Sequence, residues 1–370
     1  MFPVTKQIFN HEKTAEQYGG SELFFGPAPG LFDTVNKAHP RIWDFYKEMK
    51  SLDWSEDEFD YTQCLVDFAS VDFGTGDKMR KTLAYQWEQD SVASRSVAPI
   101  LAPFVTNSEL WAAYQRISDN EVLHAATYSE IVRTSFENPQ LVLADILEVK
   151  ESMQRMETVN KVLSDAYVAS HKYALGQIEL DQDLYNTLYL MIVSMFIMER
   201  VQFMASFAIT FTICGTGLFQ SIGKAVQRIA QDEFEVHVQL GKCVIDIEHG
   251  TERGKIARGQ TKSTVERILA DVVAAEFKWL DYMFSDGVPL LGTNVDYLKK
   301  WVLFNAKDVI QTLDLKHDFG ALPKSNPMPH LEKWLNINKV QAAPQEESIG
   351  AYKVGIVQRT DNGNVYDDDF

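Results

Sequence analysis

Glu121, His124 and Tyr128 lie in the stretch DNEVLHAATYSEIVRTSF (119–136) at spacings of three and four. At about 100° per residue, an acid, an imidazole and a phenol so spaced share one helix face. Val122, Ala125, Ala126 and Ile131 surround them, so this is no ordinary charged surface. Three further apolar stretches carry acids: Asp90 in LAYQWEQDSVASRSVAPIL, Glu199 in LYLMIVSMFIMERVQFMASFAITF, and Glu233 with His237 in AVQRIAQDEFEVHVQLGKCVI. An acid so placed is costly unless it is paired or binds a metal. The chain order is carboxylate, Glu with His, carboxylate, Glu with His. That order supplies a dinuclear metal site in a four-helix bundle. Carboxylates bridge and neutralise two cations, and the imidazoles add nitrogen ligands suited to iron or manganese.

Each piece alone has a plainer reading. Glu-x-x-His on a helix is usually a surface pair, and Glu199 has Arg200 beside it as a ready salt-bridge partner. The alternation of two acid–histidine pairs with two acids is far harder to produce by chance in a chain with only eight histidines. Glu233 and His237 stand four apart where the first pair stands three apart. On a regular helix both can still face inward, and a one-residue π-bulge would also absorb the difference. Glu235, two residues from His237, is expected to point away.

Helices must position these residues. Apolar periodicity predicts them near 38–50, 59–72, 78–95, 108–136, 149–172, 181–212, 219–246, 262–284 and 294–313. Asn107 and Ser108 open one of these, Pro139 follows it, and Gly215 and Gly217 separate the apolar helix from its successor. No phosphate-binding glycine loop appears, strand alternation is sparse, and ESIGAYKVGIVQRT (347–360) offers only a weak hairpin. The expectation is an all-α helical domain over 36–337, with an N-terminal arm at 1–35 and a flexible tail at 338–370.

A net charge of -17 would repel a phosphate backbone, so no nucleic-acid partner is expected. Cys64, Cys214 and Cys243 are widely spaced and form no CxxC pair, which suits a reducing cytoplasm. The N-terminus shows no secretory pattern, so the expected location is cytoplasmic. The stretch 188–211 is long enough to cross a bilayer, but Glu199, Arg200 and Gln202 sit at its middle. A buried core helix is expected there, not a membrane span.

Eight segments together resemble the small, radical-generating subunit of class I ribonucleotide reductase, over most of the chain. They are SLDWSEDEFD, DSVASRS, DNEVLHAATYSEIVRTSFENP, MERVQFMASFAITF, IAQDEFEVH, FKWLDYMFSDG, KSNPMPHLEKWL and QAAPQEESIGAYKVG. The resemblance implies a ferritin-like helical bundle with Asp90, Glu121, His124, Glu199, Glu233 and His237 as six metal ligands. It implies that dimetal and dioxygen chemistry oxidises Tyr128 to a stable radical, in an apolar pocket formed by Phe203, Phe207 and Ile229. Spacing agrees with that pocket, since Phe203 and Phe207 follow Glu199 by four and eight and Ile229 precedes Glu233 by four. Asp232 would connect the His124 ring to Trp54, and Tyr352 would pass the oxidation to the large subunit, where ribonucleotides are reduced. The ending NVYDDDF would dock that subunit through an aromatic anchor and its acidic run.

The implied cofactor is an iron pair, with manganese or mixed manganese–iron pairs as alternatives. The implied assembly is a homodimer, with an activating flavoprotein as a further partner the resemblance allows. Another di-iron carboxylate oxygenase or desaturase is the alternative function. A metal-storage protein fits less well, given the length, the Trp54 segment and the tyrosine-bearing tail.

Overall fold

The computed structural model describes residues 9–10 and 22–335, and the description below concerns those residues. Helices α1 (Pro40–Ser51), α2 (Thr62–Ser70), α3 (Phe73–Leu101) and α4 (Ser108–Ser135) come first. α5 (Pro139–Leu147) and α6 (Lys150–Ala174) follow. α7 (Gln182–Ile197) continues through a π-helical turn, Met198–Gln202, into α8 (Phe203–Cys214). α9 (Gln220–Gln231) likewise runs through a second π turn, Asp232–His237, into α10 (Val238–Gly250). α11 (Glu252–Met283), α12 (Val295–Leu313) and the short α13 (Glu332–Leu335) complete the fold. Among the described residues the only β pairings are two isolated bridges, Phe24 with Val105 and Leu290 with Thr293.

Local chemistry explains most boundaries. Side chains of Asp72, Asn107, Asp181, Thr251 and Asn294 each accept a backbone N–H of the helix they open, which satisfies donors a helix start leaves orphaned. Pro139 does more than end α4: it occupies the first turn of α5, a helix the periodicity did not predict. α3 begins five residues before its expected start and passes through Pro99, and α11 begins at Glu252 instead of 262. In both, a polar cap overrides a weak apolar period.

α3 packs on α4, α6 and α8; α7 packs on α6 and α11; α9 packs on α8. One continuous hydrophobic core runs through them, and residues 22–26 join it, with Leu23 and Phe24 buried. The stretch Gln182–Cys214 is apolar enough to span a membrane, yet its most apolar window is wholly buried within the fold. A helix apolar on every face suits a bundle centre. The four ligand-bearing helical stretches are α3, α4, α7–α8 and α9–α10.

Candidate metal centre

α4 carries Glu121, His124 and Tyr128 inward; all three are fully buried, while Val122 of the same stretch is exposed. α3 brings Asp90 to the same place, and the two π turns deliver Glu199, Glu233 and His237, all buried. In the second π turn the N–H of Val238 bonds the carbonyl of Glu233, five residues back. The wider turn absorbs the extra residue between Glu233 and His237, so both point inward. The first π turn was not legible, because no second ligand on its helix reports the spacing. Glu235 stays outside the cluster, half-buried.

The six residues converge as two overlapping donor groups. Glu121, Glu199, Glu233 and His237 present ligand atoms within 4.8 Å of one another, as do Asp90, Glu121 and His124. Glu121 belongs to both groups. Glu233 also straddles them, with one oxygen 3.0 Å from His124 Nδ1 and the other 2.8 Å from His237 Nδ1. His237 Nδ1 lies 3.5 Å from Glu121 as well. Shared carboxylates between two nitrogen donors are the geometry of a dinuclear centre.

The unsatisfied atoms test that fit. Both carboxylate oxygens of Asp90, Glu121 and Glu199, one of Glu233, and Nδ1 of His124 are buried without a hydrogen-bond partner. Orphaned charges in a core cost several kcal/mol each, on the order expected for buried ions. The salt-bridge alternative for Glu199 does not hold: Arg200 pairs with Asp308 at 2.7 Å and with Asn305. Two divalent cations would balance the four carboxylates and satisfy the orphaned atoms. The donor set fits a metal pair.

Electrostatics agree. Burial, then repulsion from neighbouring carboxylates, pushes Asp90, Glu121 and Glu199 above the usual carboxylate range. Glu233 goes the other way: burial opposes its charge, but the charge of His237 and the close approach of Glu199, His124 and His237 outweigh it. Against the pull of burial, Asp232 and Glu233 raise His124, and chiefly Glu233 raises His237 to about 9.

Around this cluster, Asp232 joins His124 Nε2 at 3.1 Å and accepts the Trp54 indole N–H at 2.9 Å. That bond fixes which imidazole nitrogen faces the cluster. Tyr128 has a buried hydroxyl without a partner, and burial followed by the charge of Asp90 pushes its pKa well above 10. Phe203, Phe207 and Ile229 are buried in the same core as Tyr128, with the two phenylalanine rings stacked at 5.6 Å. Tyr352 and the NVYDDDF ending lie outside the described residues, as does the weak hairpin stretch.

Sequence reasoning missed the groups that hold the first π turn. Arg155 of α6 donates to the Gln202 carbonyl at 2.6 Å, and Gln202 Nε2 returns a bond to the Arg155 carbonyl at 2.9 Å. Arg155 also pairs with Glu276 of α11 and lies between the rings of Tyr85 and Trp279. These partners are far apart in the chain, and no local pattern announces them.

The family model for the ribonucleotide reductase small chain matches residues 31–327. The chain belongs to that family. This ribonucleotide reductase small chain is 26% identical over 361 residues to the ribonucleoside-diphosphate reductase subunit beta of Haemophilus influenzae, covering 94% of this chain and 95% of the relative. It superposes on the ribonucleotide reductase R2 subunit from Clostridium botulinum with a TM-score of 0.72 at 16% identity, covering 89% and 98% of the two chains. A dimanganese(II) relative from Streptococcus sanguinis gives 0.63 at 13% identity, covering 82% and 98%. These likenesses establish the small chain as all-α and ferritin-like.

Proposed function

We propose that this chain is the radical-generating small subunit of a class I ribonucleoside-diphosphate reductase. The observation that carries the reading is the doubly shared carboxylate cluster one helical turn from a buried, unpartnered tyrosine on α4. Asp90, Glu121, His124, Glu199, Glu233 and His237 hold the metal pair. Iron is the first assignment and manganese or manganese–iron the alternatives, since these metals accept the same oxygen and nitrogen donors. When bound, the pair supplies an oxidant able to take one electron and one proton from a phenol.

Tyr128 gives up that electron and proton. Phe203, Phe207 and Ile229 keep water from the resulting radical. Asp232 holds the His124 ring by its Nε2 proton and anchors the Trp54 indole, so the three form one buried hydrogen-bonded line. Oxidation then passes by way of Trp54 and Tyr352 to the large subunit, where ribonucleotide is reduced. The domain 36–337 carries the chemistry, and the tail 338–370 docks the large subunit. The working form is a cytoplasmic homodimer, with an activating flavoprotein as a further candidate partner.

The test is loading of metal-free protein with ferrous iron and oxygen, followed by metal counting and electron paramagnetic resonance. About two irons per chain and a tyrosyl signal absent from Tyr128→Phe are expected. Two metals per chain with no organic radical, under iron loading and again under manganese loading, would overturn the radical assignment in favour of the oxygenase alternative.

A further inference from the structure

Arg200 sits where three elements meet. It lies in the first π turn, directly after Glu199. Its Nε donates to Asp308 of α12 at 2.7 Å, a second nitrogen reaches Asn305, and its guanidinium lies 4.8 Å above the ring of Phe234. Phe234 belongs to the second π turn, directly after Glu233. Asp308 is also bonded by Lys242 of α10, at 2.7 Å to each oxygen. One carboxylate therefore ties the helix leaving the second π turn to the arginine of the first, and that arginine covers the ring of the second.

Both π turns interrupt regular helical bonding, and each carries ligands of one donor group, Glu199 on one side and Glu233 with His237 on the other. A π turn departs from the regular i to i−4 bonding of the helices on either side, so the direction of its ligands depends also on what grips it from outside. We propose that Asp308 is a positioning residue for the cation bound by Glu199, Glu233 and His237, acting through Arg200 and Phe234. The other cation depends on Asp90, Glu121 and His124 of α3 and α4, and no member of the brace lies on those helices. The brace thus acts chiefly on one cation of the pair, reaching the other only through the Glu233 oxygen that faces His124. This inference rests on the dinuclear reading above.

The experiment is titration of full-length, metal-free protein with manganese(II) alone, counting free ion by its paramagnetic resonance and following thermal unfolding of the metal-free form. Asp308→Asn keeps the shape and removes the charge. Phe234→Leu removes the ring under Arg200 without touching a charge, and so decides the matter should the first variant fold poorly. In each variant one manganese is expected to bind close to wild type and the other to lose about tenfold in affinity, the usual scale for a residue that orients a ligand. Melting of metal-free Phe234→Leu stays near wild type, whereas Asp308→Asn, which strips the buried Arg200 of its carboxylate, melts lower. Unchanged binding of both ions, or equal loss of both together with lowered melting, would overturn the brace while leaving the dinuclear centre intact. Wild-type protein that takes up only one manganese would overturn the dinuclear reading itself, and the brace with it.

Discussion

One oxygen of Asp232 meets both the Trp54 indole N–H, at 2.9 Å, and His124 Nε2, at 3.1 Å. A single buried carboxylate oxygen thus serves a ring of the cluster and a ring nearer the surface. Asp232→Asn should lower metal affinity about tenfold by weakening the hold on His124, and should abolish turnover with the large subunit. Trp54→Phe should lose turnover while loading metal normally. Normal turnover by Trp54→Phe removes the indole from the route.

Tyr128→Phe separates structure from chemistry. The hydroxyl is buried without a partner, so its removal should leave metal-free stability equal or raise it by about 1 kcal/mol. Metal content should be unchanged, while the organic radical and reductase turnover vanish. Thermal unfolding and paramagnetic resonance on the same sample check both parts.

His237→Ala removes one nitrogen donor from the group that holds Glu199 and Glu233. Occupancy should fall from two metals toward one per chain. Full occupancy would show that the four-residue spacing has moved the ligand elsewhere.

Metal-free protein should show a definite pH response. Folding raises His237 from 6.5 to about 9. Its stabilising contribution is therefore complete below pH 6.5 and lost as pH rises toward 9. Asp90, Glu121 and Glu199 are raised too and share this sign. Glu233 is lowered, and its opposite contribution lies at acid pH, below 4.5. Stability of the metal-free form should fall across this interval by roughly a few kcal/mol, and manganese affinity should rise, because binding expels the His237 proton. Melting curves and binding isotherms at both ends of the interval check the two slopes. Flat profiles would contradict protonation of His237 in the metal-free state.

Deleting residues 360–370 should weaken binding to the large subunit while sparing metal content and the radical. Pull-down and paramagnetic resonance on one preparation separate the two. Undiminished affinity would remove the docking role.

The inward-facing residues of α4 were legible because a helix writes its inner face as a spacing: Glu121, His124 and Tyr128 appear at three and four, and all are buried. The four-residue spacing of Glu233 and His237 allowed either a regular helix or a π turn, and the chain adopts the π turn. The first π turn wrote nothing, since Glu199 stands alone on its helix, and Arg200 beside it invited a local pairing. Its actual partner, Asp308, is 108 residues away. Arg155 and Glu276 are likewise 121 residues apart. Contacts of that range are set by how helices pack, and a linear pattern does not record them.

The all-apolar stretch Gln182–Cys214 also bears on how the chain is made. It leaves the ribosome before α11, against which it will be buried. By length and composition alone it would be able to cross a bilayer. Arg200 alone makes lateral escape into lipid costlier by roughly 2.5–3.5 kcal/mol, and Glu199 adds a second charge beside it. The two adjacent charges thus oppose transfer of this stretch into lipid, while its apolar remainder suits the core in which it is buried.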